Sequence, residues 1–182
     1  MKGLIAGLGA LLVLGVGFFL YSSPTAPSVE MTEADREGIA QEIRQVVQEG
    51  FEMVAANDDF EGMMASWSGD PSAYFVGEPA MYLNRLVLLT DVEAINAYWE
   101  PSIQTRSGTN MIPSQEHVAV LSPDIALHVF KGDWSVLDLE GNVSSEGPIT
   151  VTTLFVREDG EWKQLHYHQS WDRAVEEDPA GG

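Results

Sequence analysis

No cysteine occurs among the 182 residues. That excludes disulfides, thiolate metal sites and a cysteine nucleophile. It is compatible with an oxidising compartment without proving one. Cations are scarce too: 9 Lys and Arg stand against 28 Asp and Glu, for a formal net charge of -19. Such a surface repels phosphate backbones and offers no basic stripe to hold them, so nucleic acid is a poor partner. The acidity reads first as solubility, and second as a surface that recruits cations or a basic partner. The chain also lacks a Gly-rich phosphate loop, a Walker pattern and a nucleophile elbow, which disfavours nucleotide-dependent and serine-hydrolase chemistry. Internal repeats are absent.

Charge is missing entirely from Gly3 to Tyr21, the run GLIAGLGALLVLGVGFFLY behind Met1-Lys2. As a helix this run would span roughly 28 Å, close to the hydrocarbon thickness of a bilayer. A cleavable signal has a shorter apolar core and a small-x-small site. Cutting after Ala26 would place Pro24 and Pro27 at unfavourable positions, and no lipobox cysteine exists. An uncleaved transmembrane anchor is therefore expected, with a cleaved signal and a secreted domain as the alternative. Lys2 favours the N-terminus inside and the domain on the extracytoplasmic, periplasmic or extracellular, side. The expected organisation is an anchor or signal over 1–22, a Pro/Ser linker over 23–30, one domain over 31–175 and an acidic tail over 176–182.

Within the domain, Thr32 can cap a helix from Glu33 to near Asn57, with Ile39, Ile43, Val46, Val47, Phe51 and Val54 as its apolar stripe. A short helix follows from Asp58 or Asp59 to Trp67, broken by Ser68-Gly69-Asp70-Pro71. Tyr74-Phe75-Val76 reads as a short strand. Asp91 caps a third helix from Val92 to about Ile103. After Pro113 the texture changes to strands: Gln115–Leu121, Ile125–Leu139, Gly147–Arg157 and Glu161–Trp171, with turns at Glu140-Gly141-Asn142 and Glu158-Asp159-Gly160. Helices first and a long antiparallel meander afterwards mean α+β.

The closing segment Val151–Ser170 carries a motif: Gly160, Trp162, Lys163, His166, His168 and Ser170 fit Gly-x-Trp-basic-x-x-His-x-His-x-Ser. It resembles the final hairpin of NTF2-like proteins, in particular the SnoaL-like branch and the kinase association-domain-like branch. Asp91–Trp99 resembles the family's third helix. The resemblance runs from about Met31 to Arg173. It implies a strongly bent antiparallel sheet wrapped around three N-terminal helices, a cone with a pocket open at one end, and frequent homodimers through the sheet. Some relatives are cofactor-independent enzymes and many only bind or assemble, so fold does not fix function. No cofactor is implied.

Strict alternation puts Trp162, Gln164, His166, His168 and Ser170 on one face of the last strand, and Leu165, Tyr167, Gln169 and Trp171 on the other. By the family's pattern the first face lines the cone. His166 and His168 are then candidates for proton transfer, for ligand contact with Ser170, or for bracing the pocket. A metal would need a third ligand, for which only His117 and His128 remain among histidines. Asp70 either completes an acid-base dyad with His168 or merely starts the Asp-Pro turn. Trp67, Tyr74, Tyr82, Trp99 and Trp134 are candidate aromatic walls, and His128 is a packing or ligand-contact residue. The apolar stretch Pro79–Leu89 reads as a lid or a dimer contact. The expected function is a membrane-tethered domain that binds a small apolar ligand in its cone or serves assembly. The alternative is a cofactor-independent lyase, isomerase or hydrolase using the pocket histidines.

Overall fold

Thr32 and Asp35 cap each other at the start of α1 (Glu33–Ala56): the Asp35 amide donates to Thr32 Oγ1 at 3.1 Å, and the Thr32 amide donates to Asp35 Oδ2 at 2.9 Å. This reciprocal arrangement satisfies orphan donors of the first turn. Asn57 ends the helix in the left-handed region, at φ 54°. The computed structural model describes residues 30–77 and 87–171. The apolar run Gly3–Tyr21, the linker up to Val29, Tyr82 with most of Pro79–Leu89, and the chain beyond Trp171 lie outside the described residues. Among the described residues no helix is long and apolar enough to cross a membrane.

Asp59 caps α2 (Phe60–Ala65), and Asp91 caps α3 (Val92–Ile103). The strands are β1 (Tyr74–Gly77), β2 (Val87–Leu89), β3 (Gly108–Ser122), β4 (Ile125–Leu137), β5 (Val143–Glu158) and β6 (Glu161–Trp171). They form one sheet in the order β2-β1-β6-β5-β4-β3, with β1 parallel to β6 and every other neighbour antiparallel. The α+β class and the three helices agree with the sequence reading. β2 was not anticipated. β3 begins at Gly108 rather than after Pro113, because the proline sits in an edge strand, where its missing N–H leaves no ladder gap, and beside an irregularity at Ser114. β5 begins at Val143, ahead of the expected Gly147.

The concave side of the sheet receives α1. Fully buried Ile43 packs on Ala126, Phe155 and Trp162, flanked by Ile39, Val46, Val47 and Val118. A second cluster joins Phe130, Trp134, Val136, Ile149 and Val151, and a third joins Trp67, Phe75 and Ile95. Trp162 Nε1 and Arg157 both donate to Glu42 Oε2 on α1, tying the last hairpin to the first helix. That hairpin turns through Asp159 (φ 52°) and Gly160 (φ 88°), the paired positive φ of a two-residue turn whose twist suits the strands it joins.

Candidate functional site

The bend of the sheet is made where alternation fails. Phe155 pairs with Gln164, but Leu154 pairs with His166, so Leu165 is an extra residue opposite no partner. Such a bulge bends the strand and shifts side-chain parity beyond it. Trp162 and Gln164 face the concave side before the bulge; Tyr167 and Gln169 face it afterwards. His166, His168 and Ser170 are thereby turned to the opposite face. The expectation that the two histidines line the cone is corrected, and Leu165 is the physical reason.

The concave side holds a cavity of about 970 Å³ that opens to solvent. Helical residues Val47, Phe51, Met63, Tyr98 and Trp99, with Trp67 just beyond α2, line it from one side, and Met111, Phe130, Val151, Phe155 and Tyr167 from the sheet. Phe75 stacks on Tyr167 at 5.7 Å between ring centroids and meets Trp99 edge-on at 5.5 Å. Its polar lining includes His128, Arg106, Thr109, Thr153, Gln164 and Gln169, and Glu42, Glu49, Arg157, Glu161 and Lys163 also lie on the wall. This is the composition of a small-molecule site, mostly apolar walls with a few fixed polar points.

His128 is 1% exposed, and its Nε2 lies 2.8 Å from Glu116 Oε1. A carboxylate only accepts, so Nε2 carries the proton and Nδ1 of the neutral ring is the basic nitrogen. Burial pushes the His128 pKa down; the Glu116 hydrogen bond and charge oppose that, and Arg44 adds to it. Tyr98 is held a neutral phenol, its pKa pushed up to about 12 by burial against the opposing charge of Arg106. Burial raises Tyr167 further.

Of the residues singled out from sequence, the structure brings Trp67, Trp99 and His128 to the cavity. Trp134 does not line it and packs instead in the cluster of Phe130, Val136, Ile149 and Val151. Tyr74 stacks on His166 at 4.1 Å on the far face, and the His166 and His168 rings lie 6.3 Å apart there. Ser170 Oγ is 3.4 Å from His168 Nε2. The His166 pKa is lowered by burial first, then by His168, with a Tyr74 backbone hydrogen bond opposing. Asp70 is exposed and accepts from the Ser72 amide at 2.7 Å and the Ser72 hydroxyl at 2.6 Å, which lowers its pKa. It does not line the cavity; it starts the turn. Tyr82 lies outside the described residues. Among the described residues no group of three or more His, Asp or Glu is placed to hold a metal ion.

Sequence reasoning missed Arg106, Thr109, Glu116, Tyr98, Tyr167 and Gln169. The last two stood on the strand face opposite the one expected to line the cone. Glu116 and His128 come together only through strand pairing, in which His128 sits opposite Val118. Arg106 lies in a short polar stretch, Thr105-Arg106-Ser107-Gly108, that reads as a loop.

The SnoaL-like domain family matches residues 43–173. No curated protein matches the chain. Solved structures share the fold. An NTF2-like protein of unknown function from Pseudomonas putida KT2440 is 20% identical, with a TM-score of 0.61 over 77% of this chain and 91% of that one. The association domain of Caenorhabditis elegans calcium/calmodulin-dependent protein kinase II is 19% identical, with a TM-score of 0.55 over 74% and 97%. A type 2 hexachlorocyclohexane dehydrochlorinase is 14% identical, with a TM-score of 0.59 over 78% and 90%. At these identities the likeness is one of fold.

Proposed function

The chain belongs to the SnoaL-like domain family of NTF2-like proteins, and for this member we propose a small-molecule-binding function in which the cone holds a mostly apolar ligand of aromatic or fused-ring size. The observation that carries this reading is the cavity itself, about 970 Å³ beneath Trp67, Phe75, Trp99, Phe130 and Tyr167. A core that had only to fold would close such a space, because unfilled volume forfeits dispersion contacts. The test is an NMR titration of the full-length chain with neutral 2-naphthylacetamide. Saturable binding with nuclear Overhauser contacts to Trp67, Phe75 and Trp99 is expected, weakened by Val47→Trp, which puts an indole into the space. Absence of binding, or contacts confined to the outer face, overturns the reading.

His128 and Glu116 favour a second reading, general-base chemistry without a cofactor. A neutral imidazole whose orientation a carboxylate fixes, set in the wall of an apolar cavity, is equipped to take a proton from a carbon acid. This reading moves the catalytic role from His166, His168 and Asp70 to His128. Catalysed deuterium exchange at the activated carbon of 2-naphthylacetone, lost in His128→Gln, supports it; exchange equal to buffer alone in the wild type counts against it.

Outside the cone, the uncharged run Gly3–Tyr21 behind Lys2 supports a membrane tether with the domain on the extracytoplasmic side. Partition of the full-length chain into the membrane fraction after carbonate washing tests that. The fold shared with a kinase association domain supports self-assembly, in the first instance a homodimer, for which sedimentation velocity is the measurement.

A further inference from the structure

Among the described residues, one cation on the cavity wall has no carboxylate partner. Arg106 follows α3 and is only 5% exposed, yet it lines the cavity. Its buried Nε has no hydrogen-bond partner, and among the described residues no carboxylate lies within ion-pair distance of its guanidinium. The group rests over the Trp99 ring, 5.6 Å from its centroid. Every other cationic or imidazole side chain on the wall has its carboxylate: Arg157 has Glu42, Lys163 has Glu161 and His128 has Glu116. Close by in sequence, the buried Thr109 Oγ1 also lines the cavity and also lacks a partner.

Burying an unpaired charge is costly, and an orphaned buried hydroxyl adds to that cost. The fold nevertheless fixes the arginine in place. The Asn57 side chain donates to the Arg106 carbonyl at 2.8 Å and to the Ile103 carbonyl at 3.1 Å, clamping the turn between α3 and β3. A guanidinium on the cavity wall carries N–H donors that can meet a carboxylate with two parallel hydrogen bonds.

We propose that Arg106, assisted by Thr109, is the anchor for a ligand carboxylate, so that the cone takes an apolar or aromatic monocarboxylate with its acid group on Arg106 and its hydrocarbon body against Trp99, Phe75 and Tyr167. This deepens, and rests on, the reading that the cone binds an apolar molecule. A single guanidinium matches a single negative charge. The acidic exterior slows the arrival of such an anion, but the buried site governs how long it stays.

The experiment compares 2-naphthylacetate with neutral 2-naphthylacetamide by titration calorimetry on the full-length chain. Wild type is expected to bind the acid roughly ten- to hundredfold more tightly than the amide, the range for a charge-assisted hydrogen-bonded pair. Arg106→Gln is expected to erase that preference while keeping amide affinity within about threefold, and Arg106→Lys to restore part of it. Without ligand, Arg106→Gln is expected to leave the melting temperature unchanged or raise it, because it removes a buried unpaired charge. Equal wild-type affinity for acid and amide overturns the proposal while leaving the apolar-cavity reading intact. Failure of both compounds to bind overturns both. An acid preference that survives Arg106→Gln assigns the arginine to the scaffold and overturns the proposal; should that variant fail to fold, an acid preference left at its full wild-type size in Arg106→Lys does the same.

Discussion

A buried imidazole beside a carboxylate is pulled two ways, and at His128 burial outweighs Glu116: the pKa falls below its ordinary 6.5. His166 is lowered too, by burial first. The folded state binds these protons less readily than the unfolded chain, so their contribution to stability is fully present above pH 6.5 and is lost as pH falls from there toward the folded values. Each unit of depression is worth about 1.4 kcal/mol. The carboxylates held low, such as Glu42 by Trp162 and Arg157, titrate in a separate window below their ordinary 4.5. Urea denaturation at pH 7.5 and pH 5.5 should therefore show a lower midpoint at the acid pH, and His128→Gln should shrink that difference. An unchanged difference in the variant would remove His128 from the account. His166→Gln and His168→Gln should leave 2-naphthylacetamide affinity within about twofold, since neither ring lines the cavity; a tenfold loss in calorimetry would return the histidines to the site.

At the scale of elements, legibility followed local chemistry. Thr32, Asp59 and Asp91 announce helix starts because their side chains cap the backbone locally, and Asp159-Gly160 announces a turn because its positive φ angles favour those residues. The stripe from Ile39 to Phe51 reads as a core face for the same local reason. The site was less legible, because its geometry depends on pairing between strands. Leu165 is one residue in an otherwise regular run, yet by sitting unpaired it exchanges His166 and His168 for Tyr167 and Gln169 inside the cone. Nothing in a leucine marks it as a bulge. Gly108 shows a tertiary demand of the same kind. A Cβ there would collide with the carbonyl oxygen of Ala55 in the last turn of α1, so the glycine lets β3 start against that helix and seats Arg106 and Thr109 on either side of it. Gly108→Ala should cost about 1–3 kcal/mol, since the clash is with backbone that cannot rotate away. Gly38→Ala, on an exposed helical face with open space around it, should instead stabilise by about 0.5–1 kcal/mol. Paired urea titrations decide the matter: similar effects from both alanines would refute the close approach of β3 to α1.

At the scale of the whole molecule, the dominant quantity is charge. A formal -19 leaves many carboxylates unmatched, and the ion pairs among the described residues are mostly exposed, such as Arg44–Glu37 with side chains 43% and 59% accessible. Exposed pairs of this kind each contribute about 0–1 kcal/mol, too little to offset the mutual repulsion of the remaining anions. The net electrostatic term should therefore oppose folding, and screening should relieve it. Raising sodium chloride from 10 mM to 500 mM shortens the screening length from about 30 Å to a few Å. If the relief is on the order of 1 kcal/mol, the thermal midpoint of the full-length chain should rise by roughly 2–4 °C for a chain of this size. The same salt step should strengthen 2-naphthylacetate binding slightly by speeding the anion's approach through the acidic exterior, and leave 2-naphthylacetamide binding unchanged. A midpoint that falls with salt would mean that the surface pairs outweigh the repulsion, and a falling acetate affinity would mean that the field reaching the cavity is set by Arg106 rather than by the acidic shell around it.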